Sequence, residues 1–525
     1  MLTQTTDVLF GGVARGALQR GAAALARAVG STLGPQGRTV LIANGGQMRV
    51  TKDGVSVART IHLAGPEGLG STLVADAALR ANTVVGDGTT TSVILAAELG
   101  RRLEEKLSLG VSLRELLQST RSAIQEAITY IRGLSVPVKT HDRLRDVATV
   151  ACNGDQKMGG LVAKAFAEVG ESGAVSVEEG YELQDVLVTA AGCQLQGGWA
   201  SAYFTQGGQV TLENPLVFLS DSVIREGEVL VPALESALAA KRPLLVLAAD
   251  VTGDALATLI VNNLRGTVRC CAARLPGYGE LRKGVAGDLA AVTGVKGYIS
   301  SEAGLDQTTA LGSCRRVTVS KDHTTIYISE EDESTKSRVS ARIAALREEL
   351  SEARSSYQQE KITERIGRLL GKVCTIRVGA LTEIEAGERR DRYIDAISAA
   401  KAARMEGIVP GGGFSLVRAA SHLRKTAAGF TDEAKRAAYQ AVADALCQPL
   451  RRLAENAGRN GDTVVNEVIR TGLGFDAQTF KYDNLLERGV VDPTRVVVTA
   501  LESAASAAIT LLSTDALVLD KEQEK

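Results

Sequence analysis

Apolar residues recur every three to four positions along both ends of the chain, and in short alternating or unbroken runs through its middle. The first spacing reads as amphipathic helix and the second as strand. Asp7–Phe10 predicts a short strand, and Val13, Leu18, Ala22, Leu25 and Val29 predict a helix behind it. Thr39–Ala43 and Gln47–Thr51 flank Asn44-Gly45-Gly46, a hairpin signal. Residues 72–82 predict a helix, and helical spacing continues through about Leu134. Asp142–Val169 is helical with a break near Asn153-Gly154-Asp155.

From Ala174 the pattern changes. Val175–Glu178, Val186–Ala190 and Val210–Leu219 read as β runs. A βαβ rhythm follows: helix over Val229–Ala240, buried strand at Pro243–Ala248, helix at Asp254–Leu264, strand at Val268–Ala273, helix at Glu280–Thr293. Val339, Ile343, Leu346, Leu350, Ala353 and Tyr357, then Ile362, Ile366 and Leu369, predict a helical hairpin packed on a domain. Lys372–Val378 is a strand and Asp391–Glu406 a helix ended by Pro410-Gly411-Gly412-Gly413. Asp492-Pro493-Thr494 carries the N-cap and first-turn proline signature of a last helix. Helical texture at both ends and β texture between them imply one helical domain built from both termini, with a middle domain inserted through two connectors.

Composition narrows the class. At 525 residues the chain exceeds a single core. Its 61 acidic and 60 basic residues nearly cancel, which argues against nucleic acid as a partner. Aromatics are only 4%, so Ala-rich helices must pack closely. Seven scattered cysteines without Cys-x-x-Cys, and four histidines without metal spacing, exclude a zinc site and fit a reducing compartment. No signal-peptide core precedes Asp7, and residues 12–30 read as a helix of the mature fold. Val496–Leu512 reads as too short and too polar for a membrane span.

Candidate chemistry centres on Val84-Val85-Gly86-Asp87-Gly88-Thr89-Thr90-Thr91-Ser92. Two glycines let backbone amides approach a ligand, and the helix that follows offers unpaired N–H groups to a phosphate. Asp87 suits a hard cation such as Mg²⁺. The alternative is a turn whose threonines cap a helix. Thr51-Lys52-Asp53-Gly54 adds a second acid, which alone reads as a plain turn.

Taken together, Thr32-Leu33-Gly34-Pro35, Thr51-Lys52-Asp53-Gly54-Val55, Gly86-Asp87-Gly88-Thr89-Thr90-Thr91, Ala255-Leu256-Ala257-Thr258-Leu259, Pro410-Gly411-Gly412-Gly413 and Asp492-Pro493-Thr494 resemble, in order, group I chaperonins of the GroEL type. The resemblance runs from Asp7 to about Leu519. It implies a multi-domain α and α/β fold. A mostly helical equatorial ATPase domain would comprise 1–135 and 407–525, a small α/β intermediate hinge domain 136–190 and 373–406, and an inserted α/β apical domain 191–372. It further implies an ATP-dependent chaperonin that binds non-native polypeptides and encloses them in a seven-membered homo-oligomeric ring, two such rings commonly stacking, with a lid-type co-chaperonin of the GroES type. ATP and Mg²⁺, with K⁺ as a further candidate, are the implied cofactors. A bacterial cytoplasm is the expected compartment, with no membrane partner.

By the same resemblance Thr32, Leu33, Gly34, Pro35 and Lys52 would surround the nucleotide. Asp87 would hold the metal, and Gly88, Thr89, Thr90 and Thr91 the phosphates. Gly412, Asp476, Ala477 and Gln478 would face base and ribose, and Asp492 the ribose. Asp395 would orient the attacking water, with Asp53 a second acid near the γ-phosphate. Trp199, Tyr203, Phe204, Val231, Leu234, Leu256, Ile260 and Val261 would bind polypeptide.

The chain departs from the family pattern in places. Gly197 stands where arginine is usual, which removes the expected partner of Glu383. Asp155 and Arg392 keep another expected charge pair. Gly371-Lys372 replaces a pair of hinge glycines, Arg459-Asn460 replaces an acidic pair expected at the other ring, and Lys521-Glu522-Gln523-Glu524-Lys525 replaces a Gly-Met-rich tail. These departures keep open a divergent paralogue acting mainly as a polypeptide-binding scaffold with weak ATPase activity. A metabolic enzyme is disfavoured, since no small-substrate constellation and no P-loop is present.

Overall fold

The computed structural model describes residues 6–44, 47–170, 173–180, 182–205, 208–296, 311–328, 332–353 and 355–520. The Gly45-Gly46 turn, the Glu383 side chain and the 521–525 tail lie outside the described residues. The chain divides into two compact units, Met1–Ala163 with Leu381–Lys525, and Lys164–Ala380.

The first unit is helical. Helices Gly11–Gly30, Gly65–Val85, Thr89–Ser108, Leu113–Gly133, Phe414–Ala428, Glu433–Leu446 and Thr494–Ser513 share one core rich in alanine. Small side chains permit the close approach: a β-carbon on Gly21 would lie 1.9 Å from the Glu67 carbonyl oxygen, and one on Gly70 2.1 Å from that of Leu18. Strand Thr6–Phe10 pairs antiparallel with Ala516–Asp520, so the two ends of the chain meet in one sheet. The Thr494–Ser513 helix corrects the expectation for Val496–Leu512. It is 20 residues long with a mean hydropathy of 1.7 in its most apolar window, enough by length and composition to span a bilayer. However, 61% of that window is buried inside the fold, where Val497, Val498, Leu501 and Leu511 join the core. Each such side chain stabilises by roughly 1.5–3 kcal/mol.

Sequence and structure differ at element ends. The last helix starts at Thr494 with Pro493 in the N-cap position. Asp492 lies one residue earlier, because strand Val491–Pro493 stays paired with Ile408–Pro410. The helix expected at Asp391–Glu406 starts at Glu383, with the Thr382 hydroxyl accepting from the Glu385 amide. Asn153 and Gly154 both take positive φ, 55° and 90°, and separate helices His141–Ala151 and Gln156–Val169.

Among its described residues the second unit holds a six-stranded and a four-stranded sheet, with a small parallel pair of Val223–Ile224 and Asp250–Val251 beside them. The six-stranded sheet runs Ala174–Glu179, Lys372–Val378, Val186–Gln196, His323–Tyr327, Arg316–Val319, Val210–Glu213. The four-stranded sheet runs Cys270–Arg274, Leu244–Ala248, Leu216–Leu219, Gly312–Ser313. Its first three strands are parallel, as the βαβ rhythm demands. The helical hairpin forms from Glu333–Glu352 and Ser356–Leu370, which moves Tyr357 onto the second helix. All seven cysteines are buried thiols, none in a disulfide.

Candidate functional site

Within the first unit, segments from both ends of the chain enclose a cavity of about 880 Å³, of a size that suits a small organic ligand. Every residue expected at the nucleotide lines it: Thr32, Leu33, Gly34, Pro35, Lys52, Asp53, Asp87, Gly88, Thr89, Thr90, Thr91, Asp395, Gly412, Asp476, Ala477, Gln478 and Asp492.

The Gly-Asp-Gly stretch turns the chain between two helices. Gly86 ends helix Gly65–Val85 at φ 75°, and Gly88 caps helix Thr89–Ser108 at φ 88° with no side-chain cap bond. Both angles lie in the left-handed region that glycine adopts without strain. The three threonines therefore occupy the first turn and do not cap it. Thr89 Oγ1 is buried without a hydrogen-bond partner, as are Ser92 Oγ, Ser415 Oγ and Asn82 Oδ1. Of these residues Asn82, Thr89 and Ser415 line the cavity, and buried polar groups ordinarily find partners.

Asp53 caps the short helix Gly54–Thr60, accepting from the Val55 and Ser56 amides at 2.9 and 2.8 Å. The Asp476 carboxylate is committed to its own turn, accepting from the Gln478 amide at 2.9 Å and the Thr479 hydroxyl at 2.6 Å. The Thr32 hydroxyl donates to the Val29 carbonyl at 2.8 Å.

The wall is electronegative. Seven carboxylates (Asp53, Asp87, Glu388, Asp391, Asp395, Asp476, Asp492) face three cationic side chains (Lys52, Arg390, Arg392). Burial raises the proton affinity of Asp87; the Gly88 amide opposes this, and the Asp53 charge adds to it. Asp395 is pushed well above the carboxylate range by burial, then by the charges of Asp87, Asp53 and Asp391. Burial and the Asp87 charge bring Asp492 up to about 7. Such a wall calls for a cation.

Among the described residues no group of three or more His, Cys, Asp or Glu side chains could hold a metal ion by itself. Mg²⁺ ordinarily takes only one or two protein carboxylates, and Asp87 in the cavity wall could supply one.

Sequence reading did not single out Asn82, Asp391 or Ser415, all of which line the cavity. The expected Asp155–Arg392 pair does not form. Asp155 accepts from the Lys157 and Met158 amides at the start of helix Gln156–Val169, and Arg392 pairs with Glu388 at 2.6 Å.

In the second unit the eight expected apolar residues separate. Tyr203 (71% exposed), Val231 (41%) and Val261 (43%) present surface, and Trp199, Leu256 and Ile260 are half-buried. Phe204 and Leu234 are core residues, 6% and 8% exposed, because the inner faces of their segments close over the four-stranded sheet's core. Leu238 and Leu264, not anticipated, are 51% and 67% exposed on the same two helices as Val231 and Val261.

The architecture is that of the chaperonin fold. Two crystal structures of the chaperonin gp146 from bacteriophage EL 2 (Pseudomonas aeruginosa), both in the presence of ATP-BeFx, share the fold. One superposes with a TM-score of 0.75 at 22% identity, the other with 0.66 at 23%, each over 98% of this chain and 99% of the phage protein. A sequence model of the TCP-1/cpn60 chaperonin family matches residues 25–221 and 219–522. The chain belongs to the TCP-1/cpn60 chaperonin family.

Proposed function

We propose that this chaperonin is driven by ATP hydrolysis and assists the folding of non-native polypeptides. The carrying observation is the single cavity, assembled from both ends of the chain, that gathers the Gly-Asp-Gly loop with Asp53, Asp395 and Asp492. That the phage chaperonin was crystallised in the presence of ATP-BeFx supports the choice of nucleotide.

In this reading Gly88 and Thr89–Thr91 cradle the phosphates on the helix N-terminus, with Thr32, Leu33, Gly34, Pro35 and Lys52 around them. Gly412, Ala477 and Gln478 meet base and ribose. Mg²⁺ held by Asp87 neutralises phosphate charge when bound. Asp395 orients the attacking water and accepts its proton, a task suited to a carboxylate of raised proton affinity. Asp53 contributes charge and fixes its turn. Residues 136–190 with 373–406 serve as the hinge domain, 191–372 as the apical domain, and 1–135 with 407–525 as the equatorial domain.

Polypeptide is held on the exposed apolar side chains Tyr203, Val231, Leu238, Val261 and Leu264. Such a surface is non-directional, and a homo-oligomeric ring, seven-membered by family resemblance, multiplies weak contacts by avidity. A lid-type co-chaperonin closes the ring in this scheme.

Steady-state ATP hydrolysis by wild type and Asp395→Ala tests this role of Asp395, with the variant expected to be on the order of 10²-fold slower. Wild type hydrolysing no faster than the variant overturns it. Recovery of an aggregation-prone enzyme with and without ATP and a lid co-chaperonin tests the folding role.

A further inference from the structure

Two helices open into the cavity, and they do so alike. Thr89–Ser108 is capped by Gly88 at φ 88°, and Phe414–Ala428 by Gly413 at φ 75°, neither with a side-chain cap bond. Each carries a buried unpartnered hydroxyl in its first turn, Thr89 Oγ1 and Ser415 Oγ. Ser415 is 0% exposed and lines the cavity. A serine further along a helix would bond the carbonyl four residues back. For Ser415 that carbonyl belongs to Gly411, which accepts from the Phe414 amide at 3.0 Å, and Ser415 Oγ makes no bond to it.

The surroundings say what this second helix end can receive. A β-carbon on Gly411 would lie 2.9 Å from Asp492 Oδ1, and one on Gly412 3.6 Å from the Phe475 carbonyl oxygen. A carboxylate at this helix start repels a phosphate, and Phe475, Pro449 and Leu453 in the adjoining wall favour a flat, uncharged group.

We propose that Ser415 is a binding residue for the nucleoside moiety, donating or accepting one hydrogen bond with base or ribose and so separating nucleosides from bare phosphates. This deepens, and rests on, the nucleotide reading of the cavity.

Thermal shift and calorimetry on full-length wild type and Ser415→Ala, with ATP, adenosine and inorganic tripolyphosphate as separate probes, test it. The expected result is a variant at least as stable as wild type without ligand, because an unsatisfied buried hydroxyl has been removed. Its affinity for ATP and for adenosine falls by about five- to tenfold, and its affinity for tripolyphosphate is unchanged. Ser415→Cys, which keeps the shape and a weak donor, falls between the two. A variant destabilised without ligand and unchanged in affinity makes the hydroxyl structural and overturns the assignment. Loss confined to tripolyphosphate overturns the nucleoside placement. Wild type that binds none of the three overturns the nucleotide reading itself, and this inference with it.

Discussion

Gly54 and Thr90 interlock: a β-carbon on Gly54 would lie 2.0 Å from Thr90 Oγ1 and 3.3 Å from its Cβ. The turn that carries Asp53 and the helix start behind Asp87 are therefore fitted against each other with no room for a methyl group. Rotation of the Thr90 side chain would relieve the clash, so Gly54→Ala is expected to fold with a loss of about 1 kcal/mol. It would, however, displace the Thr90 hydroxyl within the proposed phosphate cradle, and displacements of this size reduce turnover by roughly 10- to 100-fold. Parallel measurement of urea unfolding and ATP hydrolysis separates the two effects. Unimpaired hydrolysis in Gly54→Ala would show that this fit is not needed.

Much of this was legible in the sequence. The Gly-Asp-Gly loop, both hairpin strands and the βαβ run were set by local spacing, and local spacing survives folding. Which face of a helix meets the core is not local. Val231 and Leu234 lie three residues apart on one helix, yet one is exposed and the other buried, because the helix edge, not its midline, points to solvent. Asp492 had the sequence mark of an N-cap, but pairing of Val491–Pro493 with Ile408–Pro410 extends the strand through it and leaves its carboxylate in the cavity wall. Ser415 carried only a faint signal, a serine just after three glycines at the start of a helix, whose meaning depends on burial.

Gly197 shows why a usual residue is absent. Its φ is +129°, and a β-carbon there would lie 2.1 Å from the Arg274 carbonyl oxygen. This backbone arrangement excludes arginine. Gly197→Arg should not restore a subunit pairing but destabilise the unit by about 1–3 kcal/mol or more, read as a lowered denaturant midpoint. An arginine variant of wild-type stability would show that the segment relaxes freely.

Asp288, 3% exposed, is held by Arg342 at 2.9 Å and by Arg365 at 2.8 Å. These contacts tie helix Gly279–Thr293 to the helical hairpin. Arg365→Met removes one partner from a buried carboxylate, for which about 3–5 kcal/mol is typical. The double change Arg365→Met with Asp288→Asn should recover part of that loss, since no buried carboxylate is then left short of a partner and Arg342 is exposed enough (29%) to keep its charge hydrated. A double variant that loses as much as the two single changes added together would show that Asp288 and Arg365 do not couple.

The acid-rich cavity gives the nucleotide-free protein a pH dependence of definite sign. Asp492 titrates at about 7 in the folded chain, against about 3.9 for an unperturbed aspartate. Between those values the folded state binds more protons than the unfolded one, so stability falls as pH rises from about 4 to 7 and levels off above. The slope from one such group is at most about 1.4 kcal/mol per pH unit. Burial and neighbouring charge push Asp87 and Asp395 in the same direction, whereas hydrogen-bonded surface acids such as Asp332 are lowered and act oppositely. The difference between wild type and Asp492→Asn therefore isolates the effect: the variant should gain stability relative to wild type as pH rises through this window. Denaturant unfolding at several pH values without nucleotide measures it. A difference independent of pH would mean that Asp492 stays ionised throughout, with a cation or a protein donor already at its side.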